Sequence, residues 1–214
     1  MKKFVTILLL LAIGFTASAQ DLTMKQVLAK ATKVLPIKDG ITGNVAIKSI
    51  GIGETTKFAT DGVSVYTSLD DEQDWIIDGI EYTVNTKEKT LTIEDCEEAL
   101  AIMLMPYGIA NGLNEDNPKI KAELTDAKMK KSGSEYKISF KMKGMPMELY
   151  IDSKTFQIKG MKMKKGIITI LSVFYSNLKK LTNPAILKFD RSKYSTYKVI
   201  DERGKGKKKK KSKK

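Results

Sequence analysis

Hydrophobic and polar positions follow two rhythms along this chain. Between residues 21 and 34, Leu22, Val27, Leu28 and Ala31 share one face at helical spacing, while Lys25, Lys30 and Lys33 fall elsewhere. That spacing predicts an amphipathic helix, ended by Pro36 and Asp39-Gly40. From Ile41 the period changes to two: Ile41, Val45 and Ile47 alternate with Thr42, Asn44 and Lys48. Further strands are predicted at 55–60, 63–68, 74–78, 81–85 and 90–93. The turns between them carry Gly53, Asp61-Gly62, Asp78-Gly79 and the run 86–89, which suits a meander of hairpins.

A helical insertion over 94–113 interrupts the strands. Asp95, Glu97 and Glu98 stand where a helix dipole favours negative charge, ahead of the apolar run from Ala99 to Met105, and Pro106 is expected to kink this helix or to open a second one. Alternation resumes at 120–130, 135–143, 147–152, 156–164 and 167–175. A last short strand is predicted at 197–201. The pattern describes a mainly β, α+β chain of about ten or eleven antiparallel strands, with an early helix, a central helical insertion and no βαβ rhythm.

The ends differ from the middle. Lys2 and Lys3, an apolar run from Phe4 to Phe15 and the triplet Ala17-Ser18-Ala19 read as a secretory signal peptide over 1–19. The run is too short to span a bilayer, and no cysteine follows it to carry a lipid. The expected product is a soluble protein exported to the periplasm, with one domain over 20–203 and a low-complexity tail over 204–214. About 190 residues, with 42% hydrophobic residues in the chain, suffice for one core. Of the formal charge of +13, Lys2 and Lys3 supply two and the tail lysines supply eight, leaving +3 for the domain. Those eight are Lys205, Lys207, Lys208, Lys209, Lys210, Lys211, Lys213 and Lys214. So cationic a run is expected to be disordered and to be drawn to anionic membrane or lipopolysaccharide surfaces, or else to be a solvated appendage. The domain lacks the aromatic stacking platform of single-strand binders, so no specific nucleic acid is expected.

The chain has no histidine, hence neither the usual general base nor the commonest metal ligand. No S-x-x-K stands in a helical context, and no acidic run has the spacing of a metal loop. Cys96 is the only cysteine, so no internal disulfide is available; it reads as an incidental thiol beside Glu97 and Glu98. A catalytic role, a metal and a cofactor are therefore not expected.

The kind of apolar residue is more informative. Ile138, Phe140 and Met142 alternate with polar residues, as do Met147, Leu149 and Ile151, and then Met161 and Met163. One strand face is thus rich in thioethers, which pack adaptably against varied apolar partners. The insertion adds Leu100, Ile102, Met103, Leu104 and Met105. Two readings stand at this point. One is an ordinary core between sheet and helix; the other is a curved sheet with a movable helical lid enclosing a pocket for acyl chains.

The order of elements and several local phrases resemble the periplasmic outer-membrane lipoprotein carriers, the LolA-like proteins. Residues 58–93, with Asp78-Gly79 followed by Tyr82 to Asn85, resemble the family's hairpin. The closing phrase 187–203, "LKFDRSKYSTYKVIDER", is similar to the end of Bacteroidetes-type members at Phe189, Asp190, Tyr194, Val199, Ile200, Asp201 and Arg203. The resemblance implies an incomplete antiparallel barrel with a helical lid, and a non-catalytic, monomeric carrier. Such a carrier takes lipoprotein acyl chains from an inner-membrane release complex to an outer-membrane receptor. Family members latch the lid with an arginine on an early strand. Here the only arginines are Arg191 and Arg203, which leaves Lys48 or Lys57 as stand-ins without arginine's planar fork. Two other readings fit the same features: a periplasmic lipid-sensing regulatory domain of this fold, and a basic protein that binds the envelope surface.

Overall fold

The computed structural model describes residues 22–50, 52–96, 99–115 and 123–204, with side chains from 101 onward in the third stretch. The predicted signal peptide and the lysine tail lie outside these residues. Helix α1 (Met24–Val34) starts at a capping box. The Thr23 hydroxyl accepts from the Gln26 N–H at 3.3 Å, and the Gln26 carboxamide accepts from the Thr23 N–H at 2.8 Å. The α1 face carrying Val27, Leu28 and Ala31 is buried, as its spacing predicts.

Twelve strands form a single sheet. The first meander is β1 (Ile41–Ser49), β2 (Ile52–Thr60), β3 (Val65–Leu69), β4 (Glu72–Ile77), β5 (Ile80–Asn85) and β6 (Thr90–Asp95). After α2 (Ala99–Asn114) comes the second: β7 (Leu124–Ser132), β8 (Glu135–Met142), β9 (Met145–Asp152), β10 (Ile158–Lys165) and β11 (Ile168–Lys180). The meanders join where β1 pairs antiparallel with β11, and the spatial order is β12-β6-β5-β4-β3-β2-β1-β11-β10-β9-β8-β7. The two ends of that order, β12 (Lys198–Asp201) and β7, are not paired, so the barrel is incomplete.

The curvature shows in the core. Val65 and Ile76 from one half of the sheet share a buried cluster with Tyr136, Ile138 and Ile151 from the other, with α1 and α2 filling the concave side. Register shifts in β1/β11, β9/β10, β10/β11 and β7/β8 supply the bends. At one of them Gly160 has φ +147°, and a Cβ there would stand 2.1 Å from the Val173 carbonyl oxygen, so only glycine fits.

Several details correct the sequence reading. The described residues form twelve strands, in line with the expected incomplete barrel of about ten or eleven, but the last, β12, pairs parallel with β6, so the sheet is not antiparallel throughout. Glu94 and Asp95 do not start the helix: β6 runs through Asp95, whose carboxylate accepts the Gly204 N–H at 2.8 Å. Glu97 and Glu98 lie outside the described residues. Of the two expectations for Pro106, the opening of a second helix is not met, since Pro106 sits inside α2, which continues through it. Gly53 is within β2 and not in a turn; a side chain there would meet the Ile47 carbonyl oxygen at 2.1 Å.

A second, smaller core lies on the opposite face of β3–β6. Trp75, Val84, Leu91 and Ile93 are buried there under Phe189, Tyr194 and Tyr197 of the C-terminal segment. Tyr82 stacks on Phe189 at 4.4 Å between ring centres, and the Trp75 indole N–H donates to the Ile186 carbonyl at 2.9 Å. The segment before β12 is therefore an aromatic strap over the convex side of the first meander.

Candidate functional site

Cross-strand register gathers the thioether positions. Met129, Ile138, Leu149, Met161, Val173 and Ile47 form one continuous rung across six strands, and Phe140, Met147, Met163 and Leu171 form the next. Because side chains alternate at period two, every member of a rung points to the same face, here the concave one. Ile138, Phe140, Met147, Leu149 and Met161 are buried, whereas Met142 and Met163 are half-buried at its margin.

Helix α2 faces these rungs. It contains no charged residue over its sixteen positions. Met103, Tyr107, Ile109 and Ala110 are buried against α1, β10 and β11, while Ile102, Leu104 and Met105 are half-buried. Apolar side chains thus point both into the core and away from it, as on a helix meant to be covered all round. Leu100 belongs to α2, but its side chain lies outside the described residues. Pro106 has no N–H for the Ile102 carbonyl, which weakens the helix's own ladder at that turn. At the same turn the Tyr175 hydroxyl of β11 donates to the Met103 carbonyl. Burial pushes the Tyr175 phenol well above its ordinary pKa and raises that of Tyr107, so both remain neutral donors.

The other half of the concave face mixes polar residues with apolar ones. Thr67, Asp74, Thr83 and Thr92 make one rung across β3–β6, and Val65, Ile76, Glu81 and Glu94 make another. The Thr67 hydroxyl donates to Asp74 at 2.8 Å. Burial, with Asp74 and Glu54 adding negative charge, raises the pKa of Glu72; burial also raises that of Glu81, partly offset by a hydrogen bond from the Cys96 thiol. This mixed half escaped the sequence reading. The strands alternate as expected, but their aromatic side turns outward to the strap. Among the described residues no cluster of histidine, cysteine, aspartate or glutamate is arranged to hold a metal.

On the convex side, Glu148 is the hub of an ionic network. It accepts from Lys137 at 2.6 Å, Lys164 at 2.9 Å and the Tyr150 hydroxyl at 2.6 Å. Burial alone would raise its pKa, but these hydrogen bonds outweigh burial and hold it at about 2. Lys48 and Lys57, the stand-ins for a latching arginine, are exposed and by register also point to this convex side. Neither can reach a lid over the concave face. Arg203 is likewise remote, paired with Asp201 at 2.6 Å.

Fold and inner face together define an incomplete β-barrel whose apolar half is covered by helices. No family model matches the chain, and no curated protein matches it. Solved structures of similar fold include an uncharacterized conserved protein from Thermus thermophilus, at 10% identity and TM-score 0.48, covering 83% of this chain and 98% of that one. The Mycobacterium tuberculosis lipoprotein LppX has 8% identity and TM-score 0.45, covering 77% and 99%. A putative outer membrane lipoprotein-sorting protein domain from Vibrio parahaemolyticus has 6% identity and TM-score 0.32, covering 80% and 96%. At such identities and TM-scores these likenesses carry no functional weight. No helix among the described residues is long and apolar enough to cross a membrane.

Proposed function

We propose that this protein is a periplasmic carrier that holds the acyl chains of lipoproteins or lipids between the methionine-rich rungs and α2, and moves them from the inner to the outer membrane. The observation that carries the reading is the pairing of those rungs with a charge-free helix, half-buried on its second side and weakened in its hydrogen-bond ladder at Pro106. Binding is driven by removal of acyl surface from water, worth about 0.8 kcal/mol per buried methylene. Methionines adapt to chains of different length, and α2 opens to admit them. The signal-like N-terminus and the family resemblance of 58–93 and 187–203 support the location and the cargo class. No step of this function requires catalysis, and we infer that the protein is not an enzyme.

The test is binding of a fluorescent palmitoyl probe by the mature chain, with Leu104→Asp as the variant. Leu104 is only half-buried, so the substitution puts a carboxylate against the acyl path at less cost to the fold than a change at a fully buried position. Stoichiometric binding by the parent, lost in a variant with native circular dichroism, supports the carrier. Probe binding no greater than to an unrelated β-rich protein overturns it.

A further inference from the structure

The strand ends nearest the methionine rungs carry an unusual fringe. The β1–β2 turn presents Ile50 and Ile52 at 74% and 83% exposure, and the β10–β11 turn presents Ile167 and Ile168 at 99% and 59%. The two turns are neighbours because β1 pairs with β11, and the Ile50 N–H donates to the Ile170 carbonyl at 3.2 Å. Isolated exposed isoleucines need no explanation, but four on adjacent tips make a patch.

Immediately behind the tips, on the convex side, lies a hollow of about 380 Å³ lined by Ala46, Lys48, Lys162, Thr169, Ser172 and Phe174. Its charged groups are both cations. Lys162 sits opposite Glu148 in register, yet that carboxylate is taken by Lys137 and Lys164; the Lys162 ammonium rests instead over the rings of Tyr150 and Phe174, at 5.4 and 5.6 Å. Lys48 makes no ion pair with a described residue. Ser172 is only 8% exposed, lines the hollow, and its hydroxyl has no hydrogen-bond partner among the described residues. An open donor between two uncompensated ammonium groups suits an anionic oxygen. Lys143 and Lys165 flank the same end, where Glu123 faces Lys143 at 3.9 Å, while Asp70, Asp71 and Glu88 stand on the turns of the first meander, away from the hollow.

We propose that this end of the barrel docks on an anionic bilayer, with the four isoleucines at the boundary between headgroups and acyl chains and one lipid phosphate in the hollow. The combination of apolar tips with lysines set just behind them is the one that the interfacial region of a membrane rewards. The site is distinct from the concave acyl face and does not depend on it.

The experiment is flotation of the full mature chain with vesicles of phosphatidylcholine alone or with a third phosphatidylglycerol, at 0.1 M and 0.5 M salt. The quadruple variant Ile50→Ser, Ile52→Ser, Ile167→Ser, Ile168→Ser alters only exposed positions. It is expected to lose at least tenfold of the salt-resistant binding, since each isoleucine contributes its burial. Lys48→Gln with Lys162→Gln is expected to weaken the preference for phosphatidylglycerol in the full chain and to remove it in a chain also truncated after Gly204. A nuclear magnetic resonance titration with inorganic phosphate distinguishes the source of the anion: shifts confined to Ser172 and its neighbours without vesicle binding reduce the hollow to a free-phosphate site and overturn docking. Parent-like flotation of the isoleucine variant overturns it as well.

Discussion

Removing one oxygen atom tests whether α2 is a lid or a fixed part of the core. Tyr175→Phe deletes the hydroxyl that donates to the Met103 carbonyl but keeps the ring, and with it the contacts to Phe58 at 5.7 Å and Tyr107 at 5.6 Å between centres. A neutral buried hydrogen bond contributes about 1 kcal/mol net, so its loss multiplies the population of detached α2 by about five. The hydroxyl reaches the turn where Pro106 already leaves the Ile102 carbonyl without its helix donor. The loosening is therefore expected to stay local. Amide hydrogen exchange resolves the outcome: amides of α2 exchange about fivefold faster, while those of β1 and β11 keep their rates. In the same variant, release of a bound palmitoyl probe accelerates by a similar factor. Equal acceleration in α2 and in the central strands would show that helix and sheet open only together, and the lid argument fails.

Four other outcomes are expected. Glu148→Gln destabilises the domain by about 1–2 kcal/mol at pH 7, because the network that holds this carboxyl at about 2 rests on its charge. Its folded value lies below the ordinary 4.5, so the stabilisation is complete above that pH and disappears as pH falls towards 2; the gap between parent and variant in urea melts closes over that window. Glu72 and Glu81, raised in the folded state, act with the opposite sign, so replacing both by glutamine stabilises the protein at neutral pH and less so as pH falls towards 4.5. Gly160→Ala drives a methyl into the Val173 carbonyl and costs about 2–4 kcal/mol; a parent-like urea midpoint would show that the bulge tolerates a side chain. Truncation after Gly204 leaves the melting temperature and palmitoyl-probe affinity unchanged while weakening the salt-sensitive part of vesicle binding, and equal low-salt flotation of both forms refutes a surface role for the tail lysines.

The second meander was the more legible half. In β8–β10 lysines and serine alternate with isoleucine, phenylalanine and methionine, and since these strands have one wet face the apolar one had to turn inward, where Ile138, Met147 and Met161 lie. In β3–β6 the same alternation misleads. The apolar side, with Trp75 and Tyr82, packs outward under a strap more than a hundred residues later in sequence, and the inward side keeps Asp74 and Thr83. Period two tells which residues share a face, not which face is concave. Chain-distant contacts were also out of reach: nothing local in 198–201 announces a parallel partner, and nothing local near Asp95 announces Gly204. The isoleucine tips needed both the turn positions and the β1–β11 pairing before they became one patch.

That pairing also governs how the domain acquires its shape. β1 meets β11 with Ile41 opposite Lys180 and Ser49 opposite Leu171, so the first strand to be made must wait for the last long one. Until then the two meanders are separate ribbons, each exposing a row of unpaired edge groups and half of an apolar layer. Contacts spanning such sequence separations pay their loop-closure entropy before they return any stability, which places this domain among slow folders. A chain released from synthesis or translocation short of residue 180 has no seam to close. It is a substrate for holdases and proteases rather than a smaller version of the protein.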